Sequence, residues 1–147
     1  MSTEAIPVSL DTGQYSAALA LVGRILLSTI FLISAVGKLA APAGTIGYIA
    51  AAGLPLPQLA YALAVAIELL GGLALVAGYQ TRTAAAALAV FSIAAAFGFH
   101  GNLGDQNQFV HFLKNVAIAG GLLQLVAFGA GRWSVDARRS HAALQRP

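Results

Sequence analysis

The chain has 147 residues, of which 59% are apolar and only 9% are charged. Because an average soluble domain carries about 25% charged residues, a soluble protein of this size could not bury so much apolar surface, and the composition predicts an integral membrane protein. The net charge of +3 is too small to indicate nucleic-acid binding, and the absence of cysteine excludes disulfides, thiol catalysis and cysteine-ligated metal or iron–sulfur sites.

Four apolar segments follow one another along the chain, and each is long enough to cross a hydrocarbon layer about 30 Å thick as a helix. The predicted spans cover residues 17–39, 57–78, 82–100 and 108–128. Proline and glycine interrupt the chain between the first two spans, so residues 43–52 are predicted to form only a short interfacial or re-entrant helix. The expected fold is an all-α four-helix membrane bundle over residues 17–130, with an arm at 1–16 and a basic tail at 131–147.

The arginines that flank the predicted spans lie on one side of the membrane. They occupy the turn between the second and third spans and the C-terminal tail, as Arg82, Arg132, Arg138, Arg139 and Arg146. The loops at 40–57 and 100–108 carry no lysine or arginine. By the positive-inside rule, both termini are predicted to be cytoplasmic and these two loops to lie outside.

One carboxylate, Glu68, lies near the middle of the second predicted span. An ionised group at this depth costs roughly 3 kcal/mol or more on insertion scales, so it needs a partner. Lys114 is the first prediction for that partner, because the fourth span brings it into the bundle at nearly matching depth. Arg24 is the second, reaching from the other half of the bundle. Lys38 fits a lysine that snorkels at the end of its helix.

The predicted orientation gathers six polar side chains in the outer half of the bundle. They are Glu68, Lys38, Lys114, His100, His111 and Asn115. Polar groups inside a membrane usually face one another and mark a functional site, so we interpret the six as a ligand-binding or proton-relay cluster. Their spacing matches no catalytic triad or phosphate loop. A metal site is not expected, because the two histidines stand on different elements with one carboxylate nearby; a haem held by these histidines is a minor alternative.

Several short motifs occur in an order and spacing that are typical of one family. They are Arg24, residues 34–39 and 53–55, residues 68–72, Gly78 with Thr81-Arg82, His100, and Lys114-Asn115. Over residues 18–136 the chain thereby resembles the DoxX family of small bacterial membrane proteins. The resemblance implies a multi-pass protein of the bacterial inner (cytoplasmic) membrane. Some members of this family supply a membrane subunit of a thiosulfate:quinone oxidoreductase, and others are thought to be membrane partners of redox or detoxification proteins.

Two hypotheses about function follow. In the first, the protein is a quinone-linked redox subunit, in which a lysine or histidine donates to a quinone oxygen and the carboxylate relays a proton. In the second, it is a non-catalytic scaffold or interaction protein whose buried charges serve packing. No group in the chain can itself hold electrons, so no intrinsic cofactor is expected, and the sequence does not decide whether the protein is an enzyme. A channel or transporter would require a homo-oligomer, because four helices leave little room for a pore.

Overall fold

The computed structural model describes residues 12–145, and these form six helices. The helices are α1 Thr12–Ala40, α2 Pro42–Ala51, α3 Pro57–Ala77, α4 Thr81–His100, α5 Gln106–Phe128 and α6 Val135–Leu144. By length and composition, α1, α3, α4 and α5 can each cross a membrane. The predicted all-α four-helix membrane bundle is therefore confirmed, and α2 stands where a short helix was predicted between the first two spans.

The observed helix ends differ most from the prediction at the two ends of the chain. α1 begins at Thr12 rather than at residue 17, and its 29 residues rise about 42 Å, so it extends beyond the hydrocarbon layer. The arm predicted at 1–16 is therefore helical from residue 12 onwards, and residues 1–11 lie outside the described part of the chain. The tail predicted at 131–147 contains α6.

The four spans form a ring in which α1 packs on α3, α3 on α4, and α4 on α5. Its core combines Phe31, Leu75, Leu88 and Leu122 with several alanines. Large apolar side chains such as Leu19 and Val90 are exposed on the outside, where lipid would surround them. α1 and α5 complete the ring but touch far less than the other neighbouring spans.

Two adjacent glycines bring α3 close to both of its neighbours. A Cβ on Gly72 would collide with Leu32 of α1, and a Cβ on Gly71 would collide with Leu88 of α4. Because lipid does not drive apolar helices together as water does, close packing has to hold them in contact. The glycine pair therefore fixes α3 between α1 and α4, and it positions Glu68, one turn earlier, close to α1.

The C-terminal helix α6 is fixed to the turn between α3 and α4 by Asp136. The carboxylate accepts hydrogen bonds from the backbone N–H groups of Gln80 and Thr81 at 2.8 and 2.9 Å, and the N–H of Asp136 donates to the oxygen of Gly78 at 2.9 Å. A negative charge is favoured at this N-terminus of α4. Burial raises the pKa of Asp136, but the hydrogen bonds from Thr81 and Gln80, together with the cation of Arg139, hold that pKa below its ordinary value.

We expect Asp136 to make the stability of the protein depend on acid pH. Because its pKa is lower in the folded protein, its contribution is complete above the ordinary value of about 3.9 and is lost as the pH falls through the folded value. The melting temperature in detergent should therefore fall as the pH drops below about 4. The decrease should be smaller in Asp136→Asn, and an equal decrease in both proteins would contradict this role.

The orientation of the bundle in the membrane stays a prediction. The structure groups α2 and the 101–105 loop at one end, which we call the His100 end, and the 78–80 turn and α6 at the other, which we call the Asp136 end. With cytoplasmic termini, a cysteine introduced at Gly104 should react with an impermeant maleimide on intact cells, and a cysteine at Ser140 should not. The reverse labelling pattern would place both termini outside.

Candidate functional site

Glu68 on α3 is held by a lysine and a serine from α1. The Nζ atom of Lys38 lies 2.8 Å from Oε2 and 3.0 Å from Oε1 of Glu68, and it also donates to Ser34 Oγ at 2.6 Å. The Ser34 hydroxyl donates in turn to Oε1 of Glu68 at 3.0 Å. Ser34 and Lys38 are four residues apart, so both side chains reach the same point on α3. Each N–H of the ammonium thus has an acceptor, which is what a buried charge requires.

The ion pair lies inside the bundle towards its His100 end. Glu68 is 4% exposed, whereas the side chain of Lys38 is 22% exposed. The hydroxyl of Tyr61 on α3 donates to the backbone oxygen of Lys38 at 3.3 Å, which fixes the end of α1 against α3. The prediction that Lys114 neutralises Glu68 is therefore wrong. α3 packs on α1 and α4, whereas Lys114 is an exposed residue of α5.

Arg24 is not the partner of Glu68 either. It stands about 21 Å from Lys38 along α1, near the Asp136 end. Arg24 is 1% exposed, and its guanidinium donates to the backbone oxygen of Ala130 and, at 2.8 Å, to that of Trp133. Both carbonyls belong to the non-helical segment between α5 and α6, which cannot satisfy them with helical hydrogen bonds. Arg24 therefore holds the C-terminal segment rather than the carboxylate.

A cavity of about 410 Å³ lies beside the ion pair, among α1 to α5. Most of its wall is apolar, and it includes Ile30, Phe31, Tyr48, Ile49, Phe91 and Phe99. Four of the six predicted cluster residues also line it, namely Lys38, Glu68, His100 and Asn115. Ligand pockets typically measure about 300–1,000 Å³ and combine apolar walls with a few polar groups, so this cavity has the form of a small-molecule site.

His100 closes one side of the cavity at the end of α4. Its Nδ1 lies 2.7 Å from the side-chain oxygen of Gln108, and its ring stacks on that of His111 with the centroids 5.0 Å apart. Because an amide oxygen only accepts, Nδ1 donates in this arrangement, and in the tautomer that carries one ring hydrogen, on Nδ1, the other nitrogen, Nε2, is an acceptor. No hydrogen bond occupies this Nε2 within residues 12–145.

Asn115 and Lys114 are neighbours on α5 but have different surroundings. The Nδ2 of Asn115 donates to the backbone oxygen of His111 at 3.1 Å, which leaves the side-chain oxygen as an acceptor. Lys114 is exposed and does not line the cavity. His111 is not part of the cavity wall either, although its ring supports that of His100. Four of the six predicted residues therefore line the cavity. His111 contacts it only indirectly, through His100, and Lys114 lies outside the cavity.

Sequence reasoning missed Ser34 and Gln108 as parts of this site. A signal for Ser34 was present in its four-residue spacing from Lys38. Gln108 gave no comparable signal, because its contact with His100 depends on how the 101–105 loop returns the chain. The stacking of Tyr48 on Phe99, with ring centroids 5.3 Å apart, was also missed, and it closes the cavity beneath α2.

The fold and the site define a multi-pass membrane protein with a charged pair and a partly polar cavity inside a four-span bundle. The sequence model of the DoxX family matches residues 19–101. The chain is 40% identical to the inner membrane protein YqjF of Escherichia coli (strain K12), over 79% of this chain and 88% of that relative. It is 34% identical to the inner membrane protein YphA of the same strain, over 87% of this chain and 95% of the relative.

The chain therefore belongs to the DoxX family, and the resemblance seen in its motifs is confirmed. The four apolar spans and the two inner membrane relatives also confirm the predicted location in the inner membrane. No solved structure matches the chain.

Proposed function

We propose that the cavity beside the Lys38–Glu68 pair binds a lipid-soluble quinone, and that the protein serves a redox partner as a quinone-linked membrane subunit. The observation that carries this proposal is an apolar chamber of about 410 Å³ whose wall also contains a carboxylate, an imidazole and a side-chain amide. A quinone ring has apolar faces and two oxygens at its edge. The residues present fit this group, with Phe91 and Phe99 for the faces and His100 and Asn115 for an oxygen.

The free hydrogen-bonding groups of the cavity favour the reduced, quinol form of such a ligand. Lys38 already donates to three acceptors, so its ammonium is not a free donor to a ligand. Beside the Tyr48 hydroxyl, which can donate or accept, the remaining groups are acceptors: Nε2 of His100, the side-chain oxygen of Asn115 and the unused lone pairs of Glu68. A quinol supplies two hydroxyl hydrogens, which match acceptors, whereas a quinone supplies none.

Proton transfer can be assigned to two residues of the cavity. A bound quinone or quinol supplies electron transfer coupled to protons in the lipid phase. Glu68 and His100 are the cavity groups that can hold a proton at a carboxylate oxygen or at Nε2. His100 ends α4 beside the exposed 101–105 loop, which would connect this proton with water. The chain has no cysteine to ligate an iron–sulfur cluster, so we assign the electron transfer to a partner protein.

The alternative function is a scaffold, and one observation favours it. The ammonium of Lys38 is completely satisfied by Glu68 and Ser34, as a pair that serves only packing would be. A scaffold does not require the acceptors of His100 and Asn115 to meet any ligand. Binding at these acceptors therefore separates the two functions.

The experiment is equilibrium binding of tritiated decylubiquinol to the purified, bead-immobilised protein, read by scintillation proximity. The native protein should bind saturably, and more tightly under reducing conditions than after oxidation of the ligand to decylubiquinone. His100→Ala and Asn115→Leu should weaken binding, because each removes an acceptor, while the melting temperature changes little.

The matched control is His141→Ala, since His141 is an exposed histidine on α6, far from the cavity in sequence and fold. It should bind like the native protein. Absence of saturable binding, or equal weakening by His100→Ala and His141→Ala, would reject the quinone site and favour the scaffold.

A further inference from the structure

We propose that the ligand enters the cavity directly from the bilayer, through a seam between α1 and α5, and that Lys114 stands at the mouth of this seam. The inference rests on the proposed function and adds the route and the class of ligand. That class is a lipid-dissolved amphiphile with an oxygen-bearing head and an apolar tail, rather than a solute that arrives from water.

The seam is visible in the way α1 and α5 separate. Their contact lies where Leu27 of α1 packs against Gly121 of α5. From there towards the His100 end the two helices run past the cavity, and both Ile30 of α1 and Ile118 of α5 line it. Ile30 is also 49% exposed. The cavity wall at this seam therefore reaches the outer surface of the bundle.

The other sides of the cavity are more closely packed than the seam. α1 and α5 contact each other least among the neighbouring spans, whereas α3 packs on α1 and α4 packs on α5; between α3 and α4, a groove shares Ala64 and Phe91 with the cavity wall. At the His100 end, Tyr48 of α2 stacks on Phe99, and Leu54 lies against Gly98. A molecule approaching from the aqueous side therefore meets α2 and the loop that follows it, whereas a molecule in the lipid meets the gap between α1 and α5.

The position of Lys114 follows from the helical repeat of α5. Lys114, Ile118 and Gly121 are spaced by four and three residues, so they lie along one stripe of the helix. Gly121 faces α1 through Leu27, and Lys114 thus lies on the same side of α5, two turns nearer the His100 end, beyond the point where Ile30 of α1 and Ile118 of α5 both line the cavity. Lys114 is exposed, and a flexible ammonium at this depth can meet the oxygen atoms of an amphiphile as its head enters.

The test blocks the seam without altering the polar groups of the cavity. Ile30→Cys is reacted with N-benzylmaleimide, and the association of tritiated decylubiquinol is followed over time by scintillation proximity. The matched control is Ile33→Cys with the same label, because Ile33 is 67% exposed on α1 but lies about 60° further round the helix from α5. Blocking at residue 30 should slow association by at least an order of magnitude, and blocking at residue 33 should not.

Each outcome supports or overturns a distinct statement. Each labelled protein is compared with the same cysteine variant before labelling, so that any effect of replacing Ile30 in the cavity wall cancels, and failure of the native protein to bind at all would reject the proposed function itself. If binding is intact but the labels at residues 30 and 33 have equal effects on the rate, the seam is not the route. If the label at residue 30 lowers the equilibrium affinity without slowing association, it acts only through the cavity wall that Ile30 forms, and the seam is not the route. Lys114→Met should also slow association, and an unchanged rate would remove Lys114 from the proposal.

Discussion

Replacing Glu68 by glutamine should strongly lower the melting temperature of the protein in detergent. The substitution leaves the Lys38 ammonium inside the bundle without a counter-charge, while Ser34 loses the carboxylate to which it donates. Breaking a buried ion pair typically costs about 3–5 kcal/mol, and the partial exposure of Lys38, 22%, places the expected loss towards the lower end of that range. Lys38→Met should be similarly damaging, because it leaves the more deeply buried carboxylate alone.

A double-mutant cycle identifies the partner. Glu68→Gln combined with Lys38→Met should recover part of the stability that either single substitution loses, because no unpaired charge then remains. Lys114→Met is the matched control, since it removes another lysine of the same predicted half that does not contact Glu68. Its effect should simply add to that of Glu68→Gln. Additive losses for Lys38 and Glu68 would show that the two are not energetically coupled.

Replacing Arg24 by methionine should release the C-terminal segment from the bundle. The guanidinium donates to the backbone oxygens of Ala130 and Trp133, and hydrogen bonds to a charged group contribute about 1.5–3 kcal/mol each. The space that the guanidinium of Arg24 occupies depends on Gly78, because a Cβ at that position would collide with the guanidinium. Gly78 also has φ +65°, which favours glycine. Methionine fills part of this space but leaves both carbonyls without a donor. We therefore expect the free energy that holds the C-terminal segment on the bundle to fall by about 3 kcal/mol or more.

Trypsin provides the measurement, because α6 carries two adjacent arginines, Arg138 and Arg139. Cleavage there should be clearly faster in Arg24→Met than in the native protein. Arg24→Lys should be intermediate, since one ammonium does not reproduce the two-pronged donor geometry of guanidinium. Arg132→Met removes an exposed arginine of the same segment and should leave the cleavage rate unchanged. Equal rates in all these proteins would mean that Arg24 does not hold the segment.

The architecture could be predicted from the sequence because membrane spans are defined by length and composition. Those properties belong to each segment alone, and the described spans end within a few residues of their predicted ends, apart from the start of α1. The set of polar residues around the cavity could also be predicted in large part, since intramembrane polar groups are rare and tend to converge. Four of the six predicted residues line one cavity.

The pairing of these residues could not be predicted, because it depends on which helices are neighbours. Depth along the membrane made Lys114 the better candidate for Glu68, but α3 faces α1 and not α5. The same limit applies to Asp136, which caps a helix that begins 55 residues earlier in the chain. Gln108 reaches His100 only because a short loop reverses the chain between α4 and α5.

The measurement that tests the central claim most directly is photolabelling with an azido analogue of decylubiquinol, kept in its reduced form, followed by mass spectrometric mapping of the adducts. If the cavity beside Lys38 and Glu68 is the ligand site, the adducts should fall on its wall, at residues such as Tyr48 and Phe99, and excess decylubiquinol should suppress them. Adducts spread over lipid-facing residues such as Leu19 and Val90, and insensitive to that competition, would contradict the account.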